Sequence, residues 1–325
     1  MNQVIRIHET GGPERLRLEE IDPGPPGPGQ ALLRQAAIGV NFIDTYHRSG
    51  LYPLPSLPHA LGQEAAGVVE EIGAGVAEVK PGQRVAYAAG APGAYAQRRI
   101  VPAARLVPLP DDISDRDAAA MMLRGMTVEY LIHRTFKAER GMTVLFHAAV
   151  GGVGSIAVQW LASKGVTVIG TVGSDEKTER ARRLGCHHVI VYTREDFAAR
   201  VRDITGGRGV PVVYDSVGRA TFDGSLDSLS RRGTLVSFGN ASGAPPPFDP
   251  LVLSRKGSLY LTRPTLMDYT ATREELLQSA AALFDAVRRK AVRIDVGQSF
   301  PLAQAAEAHR ALESRRTTGS TILVP

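Results

Sequence analysis

Val144-Leu145-Phe146-His147-Ala148-Ala149-Val150-Gly151-Gly152-Val153-Gly154 is an apolar strand candidate that runs into a glycine-rich turn and then into a helix. Gly151 and Gly154 fit the second and third glycines of the dinucleotide fingerprint, with Ala149 at the place of the first. A residue without a side chain at Gly151 lets backbone amides approach a pyrophosphate, and the helix start turns its partial positive charge toward that anion. Gly154 allows helix and strand to pack closely. The helix that follows carries Val153, Ile156, Ala157, Trp160 and Leu161 at i, i+3, i+4, i+7 and i+8, an apolar stripe suited to lying on a sheet.

Outward from this motif, helical stretches alternate with apolar strand candidates. Thr143 to Ala148, Val166 to Thr171, Val189 to Tyr192, Val210 to Tyr214, Thr234 to Phe238 and Leu259 to Thr262 make up the six strands of a doubly wound parallel sheet, an α/β domain. The first third has a different texture. Pro and Gly punctuate it, as in Pro23-Gly24-Pro25-Pro26-Gly27-Pro28-Gly29, and between them lie short segments such as Gln3 to His8, Ala31 to Gly39, Ala65 to Ile72 and Arg84 to Ala88. These predict a β-rich domain of short strands and long loops. Toward the end, Glu274 to Arg289 and Leu302 to Leu312 read as helices. On the second of these, His309 reads as a partly buried packing residue with no charge relay around it.

The end of the second sheet strand, Val168-Ile169-Gly170-Thr171-Val172-Gly173-Ser174, decides between the two nicotinamide dinucleotides. A site for NAD places Asp or Glu there to hold the ribose 2′-hydroxyl, and such a carboxylate repels a 2′-phosphate. Here the place falls to Gly173, followed by Ser174, which can donate a hydrogen bond, and by Lys177, whose ammonium can meet a phosphate. NADPH is therefore expected. Asp175 and Glu176 either turn inward or serve as acidic residues in the first turn of the next helix.

Composition narrows the class further. The chain has 325 residues, 43% hydrophobic and 22% charged, enough to bury two cores, and no run of about eighteen apolar residues. The start, Met1 to Arg6, lacks the layout of a secretory signal, so a cytoplasmic protein is expected. Cys186 is the only cysteine, which excludes an intrachain disulfide and a cysteine-rich zinc cluster. The net charge of +5 is spread along the chain, as on solvated helix faces; neither a membrane nor a nucleic-acid partner is expected.

Five motifs in order carry a resemblance: Gly39-Val40-Asn41-Phe42-Ile43-Asp44-Thr45-Tyr46, Arg48-Ser49-Gly50-Leu51-Tyr52-Pro53, Gly62-Gln63-Glu64-Ala65-Ala66-Gly67, Lys80-Pro81-Gly82-Gln83-Arg84-Val85 and the turn at 148–154. Together they resemble the medium-chain dehydrogenase/reductase superfamily and, within it, the quinone oxidoreductases related to zeta-crystallin. The resemblance implies a GroES-like β-rich catalytic domain from 1–123 and 263–325 and a Rossmann NADPH-binding domain from 124–262, with cofactor and substrate meeting in the cleft between them. Zinc-dependent alcohol dehydrogenases of the superfamily bind catalytic zinc through a Cys and a His where this chain has Asn41 and Gln63. Neutral amides are poor zinc ligands, so no metal is expected.

By the same resemblance, Asn41, Tyr46 and Tyr52 match positions that line the nicotinamide and acceptor pocket. Gly152, Val153, Gly173, Ser174, Lys177 and Tyr192 match positions around the pyrophosphate, adenosine and 2′-phosphate, and Phe238 and Gly239 the strand end by the nicotinamide ribose. Ser216 lies at another strand end facing the crevice, and Arg263 either adds charge near the phosphates or makes a surface salt bridge. The implied activity is transfer of hydride, or of single electrons, from NADPH to a quinone. The rival readings are an alkenal or enone reductase and, from another class, a protein that binds AU-rich RNA or serves as a crystallin-like structural protein. Relatives are commonly homodimers or homotetramers.

Overall fold

The computed structural model describes residues 2–314 and 317–325. The first part of the chain forms β1 (Gln3–Ile7), β2 (Arg17–Glu20), β3 (Gln30–Val40), α1 (Phe42–Ser49), β4 (His59–Ala60), β5 (Glu64–Ile72), β6 (Arg84–Ala88), β7 (Arg98–Pro102), β8 (Val107–Pro108) and α2 (Asp115–Tyr130). Strands and helices then alternate through β9 (Thr143–Phe146), α3 (Gly152–Ser163), β10 (Thr167–Val172), α4 (Thr178–Leu184), β11 (His188–Val191), α5 (Phe197–Ile204), β12 (Val210–Asp215), α6 (Phe222–Asp227), β13 (Leu229–Ser237), α7 (Leu251–Arg255) and β14 (Tyr260–Thr262). The chain closes with α8 (Leu266–Tyr269), α9 (Arg273–Arg288), β15 (Val296–Pro301), α10 (Ala305–Glu313) and β16 (Ser320–Val324). No helix among the described residues is long and apolar enough to cross a membrane.

These elements divide into two compact units, 1–126 with 269–284 and 294–325, and 127–268 with 285–293. In the first unit, β15-β16-β3-β5-β6-β8 follow one another in a sheet to which β7 adds by pairing with β3, and β2-β1-β4 form a smaller sheet. The eleven residues of β3 alternate poorly because most are buried, and Ile38, Val40, Ala65, Val85 and Tyr87 pack with Leu302 and Leu323 in its core. The last strand, β16, is antiparallel to β3, pairing Thr321 with Val40 and Leu323 with Ile38.

The second unit is built on a six-stranded parallel sheet in the order β11-β10-β9-β12-β13-β14. This is the doubly wound arrangement, with the order reversing between β9 and β12. Leu145, Ile169, Val213, Leu235 and Phe222 belong to one buried cluster. Such strands, covered on both faces, are continuous apolar runs.

The first sheet strand is shorter than its apolar run suggests, since β9 stops at Phe146. Ala148 already has φ of 54° in the turn, a left-handed conformation that no strand residue adopts. The helix read from Leu302 begins with a 3-10 turn over Leu302–Gln304 and becomes α-helical at Ala305.

Candidate active site

In the second unit, β9 delivers the chain to a turn closed by the Gly151 N–H donating to the Ala148 carbonyl at 2.9 Å. Gly151 caps α3, and the first N–H groups of that twelve-residue helix have no acceptor within the helix. Gly152 and Val153 stand at this N-terminus, half-buried. A Cβ on Gly154 would lie 2.1 Å from the Ala148 carbonyl oxygen, so glycine is required where helix and turn meet. The departure at Ala149 has a local compensation: a Cβ on Gly170 of β10 would fall 2.9 Å from the Ala149 methyl and 2.4 Å from the Cys186 sulfur. Gly170 thus leaves the room that Ala149 and Cys186 fill, and burial pushes the Cys186 thiol up to about 12.

A polar chain that sequence reading missed runs beneath this turn. Asp215 accepts the Ser225 hydroxyl at 2.7 Å, so the Ser225 oxygen must accept from Nε2 of His147 at 3.0 Å. Nδ1 of His147 is then the acceptor for Thr171 Oγ1 at 2.9 Å, and the Ala148 N–H donates to that same Thr171 oxygen at 3.3 Å. Every donor direction is determined, with His147 neutral; its burial lowers the ring's pKa in keeping with this. His147 lay inside an apolar run, and its partners are 24 and 78 residues away, so no local signal marked it.

At the end of β10, Gly173 is exposed, and a Cβ there would meet only the Tyr192 ring, at 3.7 Å. The Thr193 hydroxyl donates to the Gly173 carbonyl at 3.1 Å. Ser174 precedes a 3-10 turn, Asp175–Lys177, which brings Lys177 one turn away. Of the two acids that qualified the sequence reading, Asp175 is held by Arg194 at 2.7 Å and Glu176 is exposed. The open backbone at Gly173 and the neighbouring hydroxyl and ammonium fit a 2′-phosphate, and the turn at Gly151 fits a pyrophosphate.

The ends of β12 and β13 meet closely. A Cβ on Gly239 would lie 2.6 Å from the Ser216 carbonyl oxygen and 2.9 Å from its Cα. Phe238 places its ring 5.9 Å from Phe146. Arg263 reaches back to Ser237 Oγ at 3.4 Å and the Gly239 carbonyl at 3.3 Å.

In the other unit, α1 and its flanks gather Asn41, Tyr46 and Tyr52. Asn41 caps α1 in a capping box with Asp44, its N–H donating to Asp44 Oδ2 at 2.8 Å. The Asn41 side-chain amide donates to Glu64 at 2.7 Å. Glu64 is fully buried and also accepts the Leu123 N–H at 2.6 Å and the Arg124 guanidinium at 3.4 Å; burial pushes its carboxyl up and Arg124 pulls it back. Tyr46 and Tyr52 stand edge to face with centroids 5.2 Å apart, Tyr46 buried and Tyr52 half-buried.

His47, unremarked in the sequence, joins this group. Its Nδ1 lies 3.2 Å from the Tyr52 carbonyl, which can only accept, so Nδ1 carries the hydrogen and Nε2 accepts the Gln63 amide at 3.0 Å. Burial lowers the His47 pKa and favours this neutral form. The two amides that stand where zinc-dependent relatives have ligands are thus both engaged as donors. Among the described residues, no three His, Cys, Asp or Glu side chains come together as a metal-holding group.

His309 requires a correction. It is completely buried, and it is hydrogen-bonded on both ring nitrogens, to Arg48 and to Tyr95, each at 2.9 Å.

A family model for zinc-binding dehydrogenases matches residues 152–284, and one for the alcohol dehydrogenase GroES-like domain matches residues 27–111. The chain is 50% identical over 325 residues to a quinone oxidoreductase of Pseudomonas aeruginosa, covering 100% of both chains. It is 48% identical over 326 residues to a 2-haloacrylate reductase of a Burkholderia species, covering 98% of each. The crystal structure of Escherichia coli quinone oxidoreductase complexed with NADPH matches with a TM-score of 0.98 at 48% identity, over 99% of this chain and 100% of that one. With both domain models, the doubly wound sheet and this degree of likeness along its length, the chain belongs to the quinone oxidoreductases of the medium-chain dehydrogenase/reductase superfamily.

Proposed function

We propose that this enzyme reduces quinones with NADPH and does so without zinc. The observation that carries the cofactor assignment is the end of β10, where Gly173 leaves open backbone beside Ser174, Lys177 and Tyr192 while Arg194 holds Asp175. When bound, NADPH supplies the hydride from its nicotinamide ring. The N–H groups of Gly152 and Val153 would hold its pyrophosphate, and Ser174 and Lys177 would hold its 2′-phosphate. Phe238 and Gly239 would border the nicotinamide ribose, Ser216 would face the crevice from the end of β12, and Arg263 would add charge near the cofactor phosphates. Tyr52 would offer its ring as a stacking face for a planar acceptor and its hydroxyl for the acceptor's oxygen, and Asn41 and Tyr46 would hydrogen-bond cofactor groups beside it. A quinone gains aromaticity on reduction, so positioning suffices and water protonates the product.

For function we keep the division at 1–123 with 263–325 and at 124–262, with Asn41, Tyr46 and Tyr52 in the first part and most of the cofactor residues, Gly151 to Gly239, in the second. We also propose a cytoplasmic homodimer. Support for the dimer is the outer strand β14, where Tyr260 is 62% exposed on an edge open to pairing. The likeness to a 2-haloacrylate reductase supports testing activated alkenes as rival acceptors.

The experiment is oxidation of NADPH, and separately of NADH, with 1,4-benzoquinone, 2-chloroacrylate or an α,β-unsaturated aldehyde, each with and without a metal chelator. Chelator-resistant turnover of the quinone with NADPH is expected. Turnover only of the alkenes would replace the acceptor assignment, and loss of activity to the chelator would overturn the zinc-free mechanism.

A further inference from the structure

Helix α1 is fastened at both ends by a buried chain of hydrogen bonds that ends on α10. Arg48, near the C-terminus of α1, donates to Nδ1 of His309 at 2.9 Å, and its guanidinium is also gripped by Glu313 at 2.6 Å. Because arginine only donates, Nδ1 must accept, and the ring hydrogen sits on Nε2. Nε2 then donates to the Tyr95 oxygen at 2.9 Å, and the Tyr95 hydroxyl donates to Asp44 Oδ2 at 3.0 Å. The same Asp44 oxygen accepts the Asn41 N–H at the start of the helix. The chain has one polarity. It cannot reverse, since a hydrogen on Nδ1 would face the Arg48 N–H groups.

We propose that Asp44 is a positioning residue for the acceptor site, whose carboxylate, held through Tyr95, His309 and Arg48, fixes Asn41 and the first turn of α1 and thereby Tyr46. This inference rests on the quinone-reductase reading for its catalytic readout. The charged and titratable groups that face Asp44 are Tyr95 from the loop after β6, Glu64 from β5 and Arg124 from α2, with His309 and Arg48 behind Tyr95. Among the described residues, Asp44 Oδ1 is buried with no hydrogen-bond partner. A proton on Oδ1 finds no protein acceptor and removes the negative charge that makes Oδ2 a strong acceptor for the Asn41 N–H and the Tyr95 hydroxyl, and a proton on Oδ2 competes with both donors directly. Protonation therefore loosens the N-cap of α1. Burial raises the Asp44 carboxyl to about 7, against the opposing pull of the Asn41 and Tyr95 hydrogen bonds, so the loosening falls near neutral pH.

The test compares wild type with Tyr95→Phe, Asp44→Asn, His309→Leu and His309→Gln across about pH 5.5 to 9, measuring kcat and KM for 1,4-benzoquinone and for NADPH, thermal melting, and amide hydrogen exchange over residues 41–49. In wild type, kcat/KM for the quinone should fall on the acid side with a midpoint near that of Asp44. Tyr95→Phe removes a donor from the carboxylate; it should move this limb to higher pH and lower kcat/KM for the quinone about tenfold at neutral pH, with the KM for NADPH unchanged. Asp44→Asn should abolish the limb. His309→Leu should resemble Tyr95→Phe, and His309→Gln, which returns an amide donor toward Tyr95, should recover most of the loss. The proposal falls if the pH limb is the same in every variant, or if activity losses follow melting alone. Should wild type reduce no quinone, the functional reading fails by itself, and hydrogen exchange then decides: faster exchange at the start of α1 in Tyr95→Phe supports the relay, and unchanged exchange overturns it.

Discussion

Replacing Gly173 by Asp should move the enzyme from NADPH toward NADH. The position tolerates a side chain, because its φ is outside the left-handed region and a Cβ first meets the Tyr192 ring at 3.7 Å. The backbone there is exposed, so a water-like dielectric applies. A carboxylate about 5 Å from a phosphate of about −1.5 to −2 charges meets a repulsion of about 1.2 to 1.7 kcal/mol in that medium. That is about a tenfold rise in the KM for NADPH. The same carboxylate accepts the 2′-hydroxyl of NADH, and a hydrogen bond to a charged group contributes about 1.5 to 3 kcal/mol, again about tenfold or more. The ratio of kcat/KM for the two cofactors should therefore shift about a hundredfold, less at high ionic strength. Steady-state kinetics with each cofactor at a fixed quinone concentration measures it, with the melting temperature as the control for folding. An unchanged KM for NADPH in a well-folded variant would refute the placing of the 2′-phosphate at Gly173, Ser174 and Lys177.

Gly170→Ala should destabilise the fold by about 1 to 3 kcal/mol, because its methyl meets Cys186 and Ala149; adding Cys186→Ala should return part of that loss, which urea unfolding of the single and double variants will show as non-additivity. Thr171→Val keeps the shape but leaves the Ala148 N–H and His147 Nδ1 without their partner, at about 1 to 3 kcal/mol, and a weaker NADPH affinity in a fluorescence titration should accompany it. The stability of His309→Leu should depend on pH differently from wild type. Burial and Arg48 lower the His309 pKa from 6.5 to about 3, so the unfolded chain binds the extra proton and this residue makes stability fall as pH drops below about 6.5. Asp44 acts oppositely: raised from 3.8 to about 7, it binds its proton more tightly when folded, and its contribution is present at low pH and lost as pH rises through about 7. Wild type balances the two between about pH 4 and 6.5, whereas His309→Leu should lose stability with rising pH there; melting curves with parallel pH dependence in both proteins would contradict this.

What was legible in the sequence follows from which interactions are local. The six sheet strands could be read because a parallel strand covered on both faces is an unbroken apolar run, and the nucleotide turn because its glycines answer to backbone geometry a few residues away. Strand ends were less accurate: β13 begins at Leu229, ahead of the apolar segment from Thr234, because Ser230 to Arg232 extend it with polar residues. The short helix α1 was not read because polarity misleads there: Asp44, Thr45 and Arg48 are buried with Tyr46, whereas the apolar Phe42 and Ile43 are only half-buried. His309 was read as ordinary packing because its partners, Tyr95 and Arg48, are 214 and 261 residues away in the chain. A buried polar network becomes legible only when the fold brings its members together.

The same distinction explains how the proposed acceptor site stays ordered where zinc-dependent members of the superfamily have metal ligands. Asn41 and Gln63 are neutral and contribute nothing as thiolate or imidazole, but neither is idle: one amide donates to Glu64 and the other to His47. A buried carboxylate such as Glu64 is costly unless paired, and here Arg124 and two further donors, the Leu123 N–H and the Asn41 amide, hold it. The positive charge that compensates Glu64 thus comes from a side chain locked into the protein, and Arg124 also donates to the Ala120 and Val40 carbonyls. A cation so committed cannot polarise a substrate oxygen as a Lewis acid does. In the acceptor site proposed above, the groups left to meet a substrate are amides and aromatic rings, which would suit an acceptor that takes hydride without strong activation and would favour electron-poor, planar molecules over simple alcohols or ketones.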